Sequence, residues 1–162
     1  GLAADTMHPV LISCFVAPDD EQAAQVIDWP SGPVEPAGDA EGQDAFPVVD
    51  TKIEPVVTLT KLAEILSGTP YDELAADKRI STLLAQKDEY EVLVLTVSDS
   101  VKAALAGASD EDLVRAAGPW SQIEEFHGLV DPDDLLEVMR ELGLLARQAV
   151  DSGHSMYVWW CA

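Results

Sequence analysis

Trp120, Glu124, Glu125 and His127 are the residues of this chain whose types and spacing come nearest to a chemical site. Adjacent carboxylates beside a histidine can shift one another's pKa and divide the roles of general acid and general base. The indole of Trp120 offers a flat surface on which a ligand could bind. A structural use competes with this one. Trp120, Ile123 and Phe126 can anchor a packed connection while Glu124, Glu125 and His127 face water. The structural use is favoured, because nothing else in the sequence marks a cleft at this point.

The remaining chemistry-bearing residues form weaker patterns. Gly153-His154-Ser155 sets a histidine beside a serine, but without the strand–turn–helix elbow of a hydrolase it reads as a turn. No glycine-rich phosphate loop with its lysine is visible. His8, Cys14, His127, His154 and Cys161 lack the paired spacing of zinc ligands, so the sequence implies no metal and no cofactor. Cys14 and Cys161 fall in expected strands and could be neighbours if those strands pair. They read as small buried thiols rather than a disulfide. Asp131, Asp133 and Asp134 have the look of a calcium cluster but lack the glycine and later glutamate of such a loop. Helix capping accounts for them.

The elements that must position these residues are clearest at the C-terminus. Asp131 is placed to cap a helix, Pro132 suits its first turn, and Gly153 suits a left-handed stop. Leu135, Val138, Met139, Leu142, Leu145, Ala146 and Ala149 recur at helical spacing between them. Met156–Cys161 follows as a strand with apolar residues on both faces, hence covered on both sides. The tryptophans 159 and 160 then face opposite ways, and at most one can line a pocket.

Earlier in the chain, Pro9–Val16 reads as a strand and Pro18–Ile27 as a short helix ended by Trp29-Pro30. Residues 31–45 read as an irregular acidic surface loop. Phe46–Val57 is broken by Pro47 and Pro55, so any strand there belongs at a sheet edge. Thr58 or Thr60 is placed to cap a helix closed by Gly68, and Tyr71–Leu84 is helical in character. Glu91–Val97 is the clearest strand. Ser98 or Ser100 caps a helix ending at Gly107, and Ser109 with Asp112 opens another that Gly118-Pro119 should break. Gly1–Thr6, ahead of Met7, are left out of the fold. The expectation is one α+β domain over residues 1–162. It is a small mixed or antiparallel sheet packed with helices, with a long C-terminal helix followed by a final strand.

The totals bound the function. The chain has 162 residues, enough for one domain with a real core. It carries 30 acidic residues against 9 basic ones, a net charge of −21, with no Lys or Arg before Lys52. Such a charge opposes nucleic-acid backbones and anionic membrane surfaces and favours a basic protein partner. No apolar run is long enough to span a bilayer, and the start lacks the form of a signal peptide. A soluble, cytoplasmic protein is expected. Three roles remain in play. The first is a non-catalytic inhibitor or immunity-type protein that binds a basic partner. The second is an enzyme or small-ligand protein with a pocket near Trp120, Glu124, Glu125 and His127. The third is self-association through the Pro132–Ser152 helix. They rank in that order.

Three sets of landmarks carry a family resemblance: Leu62–Gly68 with its Ile65-Leu66-Ser67-Gly68 ending, Leu95–Leu113, and Leu135–Trp159 with Ala149 and Gly153. In that order they resemble the YfbM-like proteins, an uncharacterised bacterial family. Before Leu62 the chain departs from the family, whose usual tryptophan and histidine have no counterpart in Leu59–Leu66. The resemblance implies the fold class and brings no activity or functional residue with it.

Overall fold

A terminal strand that is apolar on both faces needs cover on both, and the architecture follows from that. The computed structural model describes residues 11–162. Pro9, Val10, His8 and residues 1–6 lie outside the described residues. The strands are Leu11–Ala17 (β1), Val48–Asp50 (β2), Leu83–Lys87 (β3), Val92–Thr96 (β4) and Ser155–Cys161 (β5). They form one five-stranded sheet in the order β2-β1-β5-β4-β3, every neighbouring pair antiparallel. The helices are Asp20–Ala24 (α1), Val57–Ser67 (α2), Tyr71–Ala75 (α3), Asp99–Gly107 (α4), Asp110–Ser121 (α5) and Pro132–Ser152 (α6).

Met156 and Val158 of central β5 point to one side, where they pack with Ile12, Cys14, Val16 and Leu95 beneath α2, α4, α5 and α6. Tyr157 and Trp159 point to the other. They join Phe15, Ala17 and Val94 under Ala23, Val26, Trp29 and Ala40. The result is an α+β domain with a core on each side of one sheet. No helix among the described residues is long and apolar enough to cross a membrane.

Local signals place the best-defined elements. Asp131 accepts the backbone N–H of Asp133 at 2.8 Å, and Gly153 ends α6 with φ 70°. Asp131 is therefore the cap, and Asp133 and Asp134 stand in the first turn, where their charge suits the helix dipole. Ser98 caps α4 by accepting from Val101 N–H at 3.1 Å. Ser109 and Asp112 exchange the two bonds of a capping box at the start of α5. The proline-broken segment supplies only β2, a three-residue strand at the sheet edge.

Four expectations are corrected. The helix from Tyr71 stops at Ala75, and Leu83–Lys87 is a strand. Leu83, Leu84 and Ala85 are good helix formers with no β-branched residue, but pairing with β4 outweighs that weak preference. α5 runs through Gly118-Pro119 to Ser121. Pro119 lies in the last turn, where it removes one backbone bond, and continuing the helix buries Trp120 and Ser121 completely. α2 is capped by neither threonine. The Glu54 carboxylate accepts from the N–H groups of Val56, Val57 and Thr58 at 2.6, 3.0 and 3.3 Å. Thr58 and Thr60 instead turn their hydroxyls back to the carbonyls of Glu54 and Val56. Finally, residues 31–45 do more than cross the surface. They contain two 3-10 turns, and Gly32, Pro33 and Ala40 are buried.

The two cysteines sit on paired strands but do not meet. Cys14 lies opposite Val158 and Cys161 opposite Leu11, on opposite faces of the sheet. Cys14 is fully buried, and burial pushes its thiol up to about 12. An aromatic disulfide reagent at pH 8 is expected to titrate Cys161 alone in the native protein and both thiols in denaturant. Equal rates for both in the native state would contradict this packing.

Candidate functional site

The Trp120–His127 stretch divides into three environments. Trp120 closes α5 in the core, with 0% exposure, and its Nε1–H donates to the Thr58 carbonyl at 2.9 Å. Phe126 meets its ring edge-on, with centroids 5.2 Å apart. Between them the chain forms a 3-10 turn over Glu124–Phe126, which ends at His127 in the left-handed region with φ 53°. Glu124 and His127 are exposed. Glu125 turns toward α2 and accepts from Lys61 Nζ at 2.5 Å. That hydrogen bond holds its carboxyl below the usual range, away from the near-neutral pKa that suits a general base.

Beside this turn lies a groove of about 360 Å³. Ile53, Phe126, Val130, Leu135 and Val138 form its apolar wall, and Lys52, Glu54, Glu125 and Asp134 bring charge to it. Of the four residues singled out by sequence, Glu125 lines the groove, whereas Trp120 supports it from behind through Phe126. Thr51–Glu54 and Val130–Val138 complete it, and sequence reasoning missed both. The only local signal was the irregular Lys52-Ile53-Glu54-Pro55 run, where Lys52 adopts φ 56°. Two of the lining carboxylates are already engaged: Glu54 caps α2 and Glu125 holds Lys61. The groove therefore has the character of a shaped apolar receptor more than of a proton-transfer centre.

A second feature is electrostatic. The layer over the Trp159 face, residues 18–46, exposes Asp19, Glu21, Asp28, Glu35, Asp39, Glu41 and Asp44 and contains no basic residue. Most of the chain's few cations are bound elsewhere. Arg140 grips Asp110 at 2.7 and 3.0 Å, Arg115 pairs with Asp112, and Lys102 stands 3.7 Å from Asp99. Among the described residues, Asp20 is the one carboxylate of the layer with a basic partner. Arg79 donates to both its oxygens at 2.8 and 3.0 Å, and the Tyr157 hydroxyl donates to it at 2.7 Å.

This last network has a pH consequence. The Arg79 hydrogen bond, opposed by desolvation and aided by Tyr157, holds Asp20 below the usual carboxylate range. A carboxyl depressed by folding contributes stability above its unfolded pKa, about 4, and loses it as pH falls through the lower folded value. Asp20→Asn is therefore expected to lower the melting temperature at pH 7 and to leave it nearly unchanged near pH 2. An equal loss at both pH values would contradict the assignment.

Gly153-His154-Ser155 is the turn joining α6 to β5, and the His154 carbonyl accepts from Lys102 Nζ at 3.2 Å. Trp159 is packed under Gly32, whereas Trp160 is half-buried on the helix side. Comparison with protein-family models, with curated proteins and with solved structures finds no match to this chain.

Proposed function

We propose that this chain is a non-catalytic protein-binding domain of the inhibitor or immunity type, which docks a basic partner on its acidic layer. The observation that carries this reading is the segment 18–46, which exposes seven carboxylates and has no Lys or Arg of its own; Arg79, from outside it, pairs with Asp20 and with none of those seven. A one-signed field of this kind accelerates encounter with an oppositely charged surface and penalises acidic competitors. A soluble cytoplasmic setting and kinship with the YfbM-like proteins belong to the same proposal. The kinship rests on the landmarks from Leu62 to Trp159.

The test is affinity capture at low ionic strength followed by salt titration of whatever is retained. The quadruple change Asp28→Asn, Glu35→Gln, Asp39→Asn and Glu41→Gln is expected to weaken capture at least tenfold. Neutralising Asp72, Glu73, Glu111 and Asp151 instead should have a smaller effect. Recovery of no basic protein, or recovery indifferent to salt, sinks the reading.

The groove of about 360 Å³ beside Glu125 supports a second reading, a small amphiphilic ligand held against Phe126 and Val138. An environment-sensitive apolar dye should then brighten with the native protein. Val138→Trp, which fills the groove, should abolish the signal. A dye response unaffected by that change excludes the groove.

A further inference from the structure

We propose that β2 is a receptor edge: a short extended basic segment of the partner adds to the sheet there as an outer strand, in the groove between β2 and α6. The proposal rests on the basic-partner reading and locates its anchoring contact. It starts from ladder parity. Thr51 N–H bonds the Ile12 carbonyl at 3.0 Å, and Val16 N–H bonds the Pro47 carbonyl at 3.0 Å. In an antiparallel ladder, hydrogen-bonded and non-hydrogen-bonded pairs alternate. The pairs 12/51, 14/49 and 16/47 are therefore of the bonded kind, and 13/50 and 15/48 are not. Val48 and Asp50 consequently direct both N–H and C=O away from β1. The contact of 2.6 Å between Ser13 Oγ and Asp50 Oδ1 agrees with the closer side-chain approach of a non-bonded pair.

Those outward groups face an open groove of about 680 Å³, whose walls are Pro47–Asp50 and the Glu141, Leu144, Leu145 and Gln148 face of α6. A sheet edge beside a helix wall is the geometry in which extended peptides bind by strand addition. The backbone supplies affinity, and alternate side chains supply specificity. Here the helix wall carries Leu144, which is 62% exposed. The charges lining the groove are Asp50 and Glu141, and no lysine or arginine lines it. The two arginines of α6 that flank the groove are turned away from it, Arg140 to Asp110 and Arg147 to the Ala108 carbonyl, while Lys52 lies with Asp50 along a separate hollow beside Trp159.

Side-chain alternation then specifies the occupant. Val49 packs on the helix side of the sheet, so an added residue level with it meets Leu144 and Leu145 and should be apolar. Residues level with Val48 and Asp50 lie on the other face, where Asp50 selects Lys or Arg. Pro47 and the three-residue length of β2 confine the edge, so the segment is short and its side chains contribute much of the affinity.

The experiment uses the full chain with a capped octapeptide of alternating Lys and Val. Binding is followed by fluorescence anisotropy, and amide exchange by NMR. The expected result is binding at low salt with at least tenfold slower exchange at the Val48 and Asp50 amides. N-methylating alternate peptide amides, or changing Leu144→Arg, should weaken binding at least tenfold. Salt-sensitive binding that ignores both changes overturns strand addition while leaving the acidic-layer reading intact. Binding lost only in the Asp28/Glu35/Asp39/Glu41 variant has the same meaning. No binding of any lysine-rich peptide at low salt overturns both. A concentration-dependent dimer abolished by Leu144→Arg assigns the groove to a second copy of the chain and overturns the proposal as well.

Discussion

Trp120→Ala is expected to destabilise the domain by about 3–5 kcal/mol, the usual cost of truncating a buried aromatic side chain. Three losses combine. The indole is fully buried, so its removal leaves a cavity among α2, α5 and the Glu124–Phe126 turn. The Thr58 carbonyl, which lies in the first turn of α2, loses the second donor it now has at 2.9 Å, and with it the tie between α2 and α5. Phe126 loses its edge-on partner and with it the support for one wall of the Glu125 groove. Since whole domains are stable by only about 5–15 kcal/mol, this single change removes a large share. Trp120→Phe separates the terms: it keeps most of the ring and forfeits the donor, for an expected loss of about 1–3 kcal/mol. Urea unfolding checks both, read as a lower midpoint at unchanged slope. A loss for the alanine variant within the range of a surface substitution, about 0.5 kcal/mol, would remove Trp120 from the core and restore it as a ligand-binding candidate.

Gly32→Ala is the second large effect, at about 2–5 kcal/mol. Gly32 has φ +69°, and a Cβ there would stand 2.6–2.8 Å from Cδ2, Cε3 and Cε2 of Trp159. The left-handed backbone alone costs a non-glycine residue about 1–2 kcal/mol. The clash adds an overpacking cost of about 1–3 kcal/mol, because the obstacle is a rigid ring. That ring is 5% exposed and belongs to the central strand, so it has nowhere to retreat. Gly38→Ala is the control: its φ is +64° and nothing lies within 4 Å of its Cβ position. It should show the conformational cost without the steric one. Equal losses for the two variants would mean that residues 31–45 do not sit on Trp159 as described. Because that segment also carries acidic residues of the proposed docking face, Gly32→Ala should weaken capture of a basic partner as well as lower stability.

Much of the scaffold was legible because its signals act over a few residues. Asp131-Pro132 opens α6 and Gly153 closes it, since caps and left-handed stops depend on neighbouring backbone groups. The apolar stripe from Leu135 to Ala149 and the two-faced strand after it disclosed the long helix, the central strand and the need for cover on both sides. Pro47 and Pro55 announced an edge strand by the donors they lack. Local rules failed where local preference was weak. Nothing in Leu83–Lys87 resembles a strand until β4 lies beside it, and Pro119 reads as a stop until the core claims Trp120.

The candidate site was legible only in part. The sequence marked Trp120, Glu124, Glu125 and His127 together, but their separation into core, ion pair and solvent comes from partners far along the chain. Thr58 lies 62 positions from Trp120 and Lys61 64 positions from Glu125. The groove draws its walls from three separate segments, and the outward-facing edge of β2 depends on pairing register, which no residue in β2 encodes by itself. Residue type governs helix ends, strand alternation and net charge, because these are sums of short-range preferences. Which carboxylate finds a lysine, which tryptophan is buried and which backbone groups remain free are decided by contacts across the whole chain. Their energies exist only once distant segments have packed.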